Sequence, residues 1–241
     1  MKMPAVRGLI ERRLLVNYRV DANVMRKQLP PPFRPKLAPD GSAMAGICLI
    51  RLSGTRPPLV PGAFGIRSEN AAHRIAVEWD GPAGTQEGVF IPRRDSSSRV
   101  NVLVGGRLFP GVHHRARFQV REDDRRYCVE LHRLDGAVHA LVDGRVAVEL
   151  PASSVFPSVQ DASAFFERGS LGYSATHRPG HFDGLELRSF GWRVQPLEVD
   201  VVASSYFENE TLFPRGSVQF DCALLMRDIA HEWHARDQLC A

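Results

Sequence analysis

The sequence predicts a mainly β (α+β) fold, an antiparallel barrel or sandwich with a few appended helices. Three observations carry this. About ten short runs are apolar or alternate apolar with polar side chains, the period-2 signature of strands. Only two segments carry both a helix cap and a helix stop. Asp143-Gly144, a dipeptide favoured in two-residue hairpins, lies between two of the runs.

Leu14 to Val20 opens the series as a strand. Asp21 then caps a short helix carrying Val24, Met25 and Leu29, and Pro30-Pro31-Pro32 stops it. Strand runs follow at Ala43 to Leu52 and His73 to Trp79. The stretch from Val89 to Phe118 reads as two strands, with apolar runs at Val100 to Val104 and Val112 to Arg121, joined by a turn at Gly105-Gly106. Tyr127 to Leu134, Val138 to Val142 and Arg145 to Leu150 continue the pattern, the last two as the Asp143-Gly144 hairpin. Ser158 or Asp161 can cap a second helix through Ala162, Phe165 and Phe166, ending at Gly169. Leu185 to Val194, Glu198 to Ser205 and Val218 to Met226 complete the strands. A third helix, near Arg227 to Asp237, is weakly patterned. No repeat or linker divides the chain, so residues 1–241 are expected to form a single domain.

Hydrophobic residues make up 44% and charged residues 24%, which allows a sizeable core and argues against disorder. The net charge of +4 is spread along the chain and interrupted by acids, as in Arg121-Glu122-Asp123-Asp124-Arg125-Arg126. With no helix-turn-helix, zinc-finger spacing or RNA-binding signature, nucleic acid is not the expected partner. Cys48, Cys128, Cys222 and Cys240 are far apart and form no Cys-x-x-Cys pair. No apolar run is long enough to span a membrane, and the amino terminus lacks a secretory apolar core. A soluble cytoplasmic protein without a membrane partner is expected. His231-Glu232-Trp233-His234 lacks the spacing of the zinc proteases and offers two ligands, so neither metal nor cofactor is expected. Arginine outnumbers lysine 28 to 3, the lysines being Lys2, Lys27 and Lys36.

Three segments carry a family resemblance. VNYRVDANVMRKQLPPPF, residues 16–33, is a strand, an arginine, an Asp-capped helix and a proline stop. SENAAHRIAVEW, residues 68–79, places an acid before a core strand. VFIPRRDSSSRVNVLVGGRLFP, from Val89, is a strand, a proline, a polar loop and a Gly-Arg run ending in Phe-Pro. Together they resemble the acetoacetate decarboxylase-like superfamily. The tail segments GSLGYSAT and FPRGSVQFDCALL are similar to its YqjF-like branch, a domain of unknown function. The resemblance implies a β-barrel or cone with an internal pocket, often in a homo-oligomer. It implies that Arg19 faces a substrate carboxylate, for which a guanidinium fork is suited. It also implies that Glu69 is an acidic pocket residue. The decarboxylases use a lysine amine placed after the Phe-Pro step, activated by an apolar site and a second cation. Here that step is followed by Gly111, Val112, His113 and His114, and no lysine follows Lys36. Arginine is always protonated and is no amine nucleophile, so Schiff-base chemistry is not expected.

Strand parity separates the two imidazoles. Val112, His114, Ala116, Phe118 and Val120 share an apolar face, and His113, Arg115, Arg117, Gln119 and Arg121 a basic one. His114 is therefore expected inside, neutral, and able to act in proton transfer or to pack as a core residue. Arg93 to Arg99 reads as a polar loop in which Arg94 can bind an anion. Two functions follow. One is an enzyme acting on a small carboxylate or keto acid, with Arg19 and Arg94 holding the anion and Glu69 and His114 moving protons. The other is a non-catalytic protein that binds an anionic small molecule on the same fold.

Overall fold

The computed structural model describes residues 5–61, 65–105, 110–136 and 138–240. Its strands are β1 (Val6–Val20), β2 (Arg34–Pro35), β3 (Ala43–Arg56), β4 (Ile66–Gly81), β5 (Gly84–Ser96), β6 (His113–Glu122), β7 (Arg126–Arg133), β8 (His139–Val146), β9 (Leu171–Ala175), β10 (His181–Phe190), β11 (Gln195–Ser204) and β12 (Val218–Cys240). The helices are α1 (Ala22–Gln28), α2 (Arg99–Val104) and α3 (Val159–Glu167). Among the described residues no helix is long and apolar enough to cross a membrane.

All twelve strands form one mixed sheet, antiparallel except where β5 runs parallel to β6 and to β9. Five strands, in the order β12-β1-β3-β4-β5, make a continuous wall. The wall forks at both edges. β5 pairs with β9 through Val89 to Ile91 and with β6 through Arg94 to Ser96. β12 pairs with β11 through Ala223 to Leu225 and with β10 from Ala230 onward. Hydrogen bonding therefore closes two circuits that share the wall, one through β6-β7-β8-β11 and one through β9-β10.

Because both circuits use the wall, both of its faces are buried. Leu14, Val16, Ile47, Leu49, Ile75 and Leu225 face one core. Leu15, Met44, Cys48, Ile50, Leu224 and Met226 face the other, which α3 covers with Phe166. Such strands read as near-continuous apolar runs rather than alternating ones, as in Ala43 to Leu52.

The Asp21 and Ser158 caps hold: Asp21 accepts from the Asn23 and Val24 N–H groups, and Ser158 from Asp161 N–H. Four expectations are corrected. Val100 to Val104 is the helix α2, not a strand, because the Ser98 hydroxyl accepts from Asn101 N–H and starts a turn. A cap of this kind outweighs the weak β preference of valine. Arg93 to Ser96 is likewise strand rather than loop. Asp143-Gly144 makes no hairpin; β8 passes straight through, and a Cβ at Gly144 would stand 2.6 Å from the Glu198 carbonyl oxygen. The glycine serves close backbone approach between strands. Arg227 to Asp237 is part of β12, turned at Asp228, whose φ is 54°. The expected turn at Gly105-Gly106 lies in part outside the described residues, as do Lys2 and Phe109.

His73 and His231 are buried to 0% and 1% exposure. Burial, aided by Arg93, lowers the His73 pKa to about 3, and burial, aided by Arg13, lowers that of His231 to about 4. Both are neutral when folded, whereas the unfolded chain protonates them near their ordinary value of 6.5. The unfolded state thus binds more protons as pH falls below about 6.5, and stability falls with it. Thermal unfolding followed by circular dichroism should show Tm declining from pH 7 towards pH 5, with proton uptake on unfolding. A Tm unchanged across that window would count against neutral burial of these rings.

Candidate functional site

A cavity of about 480 Å3 opens on the second face of the wall, within the range that holds small-molecule ligands. Ile50, Leu52, Ile91, Leu185, Leu187 and Trp233 supply much of its apolar lining. Its polar groups include Arg13, Arg74, Arg94, Asn70, Asn101 and His113, together with buried Asp95, whose carboxylate pairs with Arg93 at 3.1 Å.

Pairing register explains why these side chains converge. Cys48 and Ala72 are cross-strand partners on β3 and β4, and Arg74 follows two residues on, on the same face. On β5, the pairing jumps from Ile75–Phe90 to His73–Arg93, leaving Ile91 and Pro92 opposite Arg74 alone. This bulge reverses the side-chain parity of the strand, and proline is tolerated at such a position. Phe90 before the bulge faces the first core, and Arg94 after it faces the cavity beside Ala72. β6 then pairs His113 with Arg94 and His114 with Asp95. His113 therefore shares the cavity face with Arg94.

The three arginines make neutral contacts. Arg13 Nε donates to Cys48 Sγ at 3.3 Å, and its guanidinium lies 5.7 Å from the centre of the Trp192 ring. Arg74 Nη2 donates to Asn17 Oδ1 at 2.6 Å, and its guanidinium lies 5.0 Å over the Phe166 ring. Arg74 Nε is buried without a partner among the described residues. Arg94 Nε donates to Ser174 Oγ at 3.1 Å. Among the described residues, none of the three makes an ion pair with a carboxylate. Burial lowers the pKa of Arg74 and of Arg94 to about 10, which leaves both protonated near neutrality.

His113 Nδ1 lies 3.0 Å from the Gly111 carbonyl oxygen. A carbonyl can only accept, so the proton sits on Nδ1 and Nε2 carries the lone pair. Burial first, then the neighbouring Arg94, lowers the His113 pKa to about 4. Gly111, at φ 80°, leaves room for this packing: a Cβ there would stand 3.0 Å from Arg94 Nε and closer still to Ser174. Asn101 of α2 is tied to Ser68, Asn70 and Ser96 at 3.2–3.3 Å, which docks the helix on the cavity rim.

Of the residues singled out by sequence, Arg94 stands on the cavity wall. The others do not line it. Arg19 pairs with the buried Asp221 at 3.7 Å, and Asp221 also accepts from Val155 N–H and the Ser154 hydroxyl. Glu69 lies between Arg12 and Arg51, at 2.6 and 2.5 Å, and both arginines also reach Glu122. His114 does share a face with Ala116 and Phe118, but that face belongs to the first core, where its Nδ1 meets Arg133 Nη2 at 3.1 Å. The imidazole at the cavity is His113, a correction that follows from the cavity lying on the opposite side of the sheet. Arg13 and Arg74 were missed by the sequence reading, and nothing local marks them: Arg13 follows Glu11-Arg12 at the edge of an apolar run, and Arg74 follows His73.

Lys36 does not line the large cavity. It is buried, pairs with Glu87 at 2.6 Å and lies 4.4 Å over the Phe165 ring. Lys27 is exposed on α1.

Solved structures share this fold. Acetoacetate decarboxylase from Legionella pneumophila superposes with a TM-score of 0.66 at 11% identity, covering 99% of this chain and 88% of that one. An acetoacetate decarboxylase-like enzyme from Sphingomonas wittichii gives 0.61 at 11% identity, covering 100% and 94%. The enduracididine biosynthesis enzyme MppR complexed with pyruvate gives 0.60 at 12% identity, covering 100% and 91%. No curated protein sequence matches the chain. The fold is thus of the acetoacetate decarboxylase-like type, and, with a family model matching residues 10–222, the chain belongs to the DUF2071 family, described as uncharacterized conserved protein.

Proposed function

We propose that the protein binds a small organic anion, a carboxylate or keto acid, in the arginine-lined cavity, and that His113 exchanges a proton with it. The observation that carries this reading is the set of three guanidiniums, buried Arg13 and Arg74 and half-buried Arg94, around one cavity without a carboxylate ion-pair partner among the described residues. An isolated buried charge is strongly unfavourable, and a bound carboxylate would offset it through charge-assisted hydrogen bonds. Likeness of fold to a protein captured with pyruvate supports the same ligand class. Arg94 keeps the anion-binding role that the sequence assigned it. The proton-transfer role passes from His114 to His113, and Arg19 and Glu69 are read as structural ion-pair partners. Lys36, held by Glu87, is no candidate for an amine nucleophile.

Nε2 of His113 is a lone pair at the wall of an apolar, cationic site. It can accept a proton from a carbon acid or hydroxyl held against the arginines. A second reading, a carrier that binds without turnover, is favoured by the low His113 pKa, since a base near 4 is weak at neutral pH. Following pyruvate and acetoacetate by NMR in the presence of protein separates the two: binding without consumption selects the carrier.

Native mass spectrometry of the purified protein should reveal a retained small anion. Calorimetry with pyruvate and acetoacetate should then show affinity falling by about 10- to 100-fold in each of Arg13→Met, Arg74→Met and Arg94→Met, the equivalent of one charge-assisted hydrogen bond. Affinity equal to the parent in all three would remove the basis of the reading.

An anion beside His113 raises its pKa from the unliganded value near 4. The bound form then holds more protons than the free form, so affinity should rise as pH is lowered from 7 to 5. His113→Gln should flatten that slope, while His114→Gln should keep it. Equal slopes in the parent and in His113→Gln would exclude a proton on His113.

Glu69→Gln should lower unfolding stability by about 1.5–3 kcal/mol, because Arg12, at 2% exposure, loses a charged partner. Ligand affinity should be unchanged. Urea unfolding alongside the same calorimetry distinguishes this from a pocket role, in which affinity would fall and stability hold.

A further inference from the structure

On the outer face of the β7–β8 pair, two imidazoles and a carboxylate converge. Leu131 and Ala140 of these strands point into the first core, so Glu130, His132 and His139 point the other way. His132 and His139 are direct cross-strand partners, and their rings lie 4.7 Å apart at 33°. Glu130 is two residues from His132 on the same face. Its Oε1 lies 2.8 Å from His132 Nε2 and 3.2 Å from His139 Nε2. One donor atom from each of the three falls within 4.8 Å of the others, the one such grouping among the described residues. No residue of β7 or β8 lines the arginine cavity.

We propose that Glu130, His132 and His139 form a binding site for a divalent transition-metal ion of the zinc class. Zinc binds imidazole nitrogen at about 2.0–2.1 Å and carboxylate oxygen at about 2.0–2.2 Å in tetrahedral geometry. Two donors of such a centre stand about 3.3 Å apart. The 2.8 and 3.2 Å separations of Oε1 from the two Nε2 atoms are close to that spacing. A metal ion therefore needs an outward adjustment of a few tenths of an ångström on those two edges, and the third edge, between the imidazole nitrogens, falls within 4.8 Å. The donor chemistry, two imidazoles and one carboxylate, suits zinc, nickel or copper rather than calcium or magnesium, which take oxygen ligands. Without metal, each Nε2 donates its proton to the shared carboxylate oxygen. On binding, the ring proton of each neutral histidine moves to Nδ1 and Nε2 supplies the lone pair; any histidine already charged releases a proton to solvent. The three side chains are 30–46% exposed, so water can fill the fourth position. Arg117 lies opposite His132 on β6 and Gln119 opposite Glu130. The arginine opposes a dication, and the Glu130 carboxylate offsets it.

Titration of the full chain with ZnCl2 by calorimetry tests the site. Binding of one Zn2+ per chain is expected, weakened at least about tenfold by His132→Ala and by His139→Ala, and less by Glu130→Gln, which keeps an oxygen. His234→Ala should bind as the parent does. Because the three side chains are partly exposed on the outer face, the variants should fold, which circular dichroism verifies. As a measurement that needs no variant, Zn2+ should shift the imidazole NMR signals of His132 and His139 in the parent protein. Absence of binding by the parent would overturn the proposal. So would binding of parental strength in the His132→Ala/His139→Ala double variant, as at the Cys240–His181 pair, or shifts confined to other histidines.

Discussion

The middle of the wall β12-β1-β3-β4-β5 is buried on both faces, and most of the molecule follows from that constraint. A strand buried on both sides must satisfy two sets of packing partners at once. Odd positions of β3 and β4, such as Ile47, Leu49 and Ile75, fill one core. Even positions, such as Cys48 and Ile50, fill the other. A one-residue slip in either strand would exchange the two sets. The wall is therefore locked in register, and the side chains it projects are held on a rigid surface rather than on loops. This is what allows polar groups on separate strands to converge: Arg13 from β1, Arg74 from β4, Arg94 from β5 and His113 from β6 all face one cavity.

Charge in that cavity obeys different rules from charge elsewhere in the chain. Arg12 and Arg51 are matched by Glu69 and Glu122, and Arg19 by Asp221. At the cavity the guanidiniums rest on thiol, amide, hydroxyl and aromatic faces. Cation–π and sulfur contacts shield a guanidinium only partially; such a contact contributes roughly 0.5–2 kcal/mol. The Arg12 and Arg51 cluster and the unmatched arginines lie on opposite faces of the same wall, whereas Arg19 shares the parity of Arg13 and is matched by Asp221 beyond the cavity lining. The ion-paired group closes the end of one core, and the unpaired group surrounds the space in the other.

Much of the fold was legible because strands and caps leave local signatures. Asp21 and Ser158 cap the helices they were expected to cap, and the runs at Ala43 and His73 are central strands. Misreadings arose where a local signal has two meanings. Asp143-Gly144 has turn chemistry, but its glycine admits the Glu198 carbonyl of a neighbouring strand. Valines at 100, 102 and 104 prefer strands, but Ser98 starts a helix there. The site was less legible for a geometric reason. Parity correctly separates His113 from His114, but it cannot say which face of a doubly buried sheet holds the empty space. The bulge at Ile91-Pro92, which turns Arg94 towards the cavity, leaves only a proline as its trace in the sequence.

The scarcity of lysine gains its meaning from this geometry. A lysine desolvated beside other cations can escape by losing its proton, and the amine so produced is a nucleophile. An arginine in the same place cannot, since even a pKa lowered to about 10 leaves it charged. The same physical stress, a cation held away from water, therefore has two chemical outcomes. With lysine it generates covalent reactivity; with arginine it generates a standing demand for an anion. Lys36, the one buried lysine described, is neutralised by Glu87 outside the cavity lining. A chain that keeps this fold while placing Arg13, Arg74 and Arg94 around the cavity meets that stress with charge rather than with an amine, which is the physical ground of the proposed anion site.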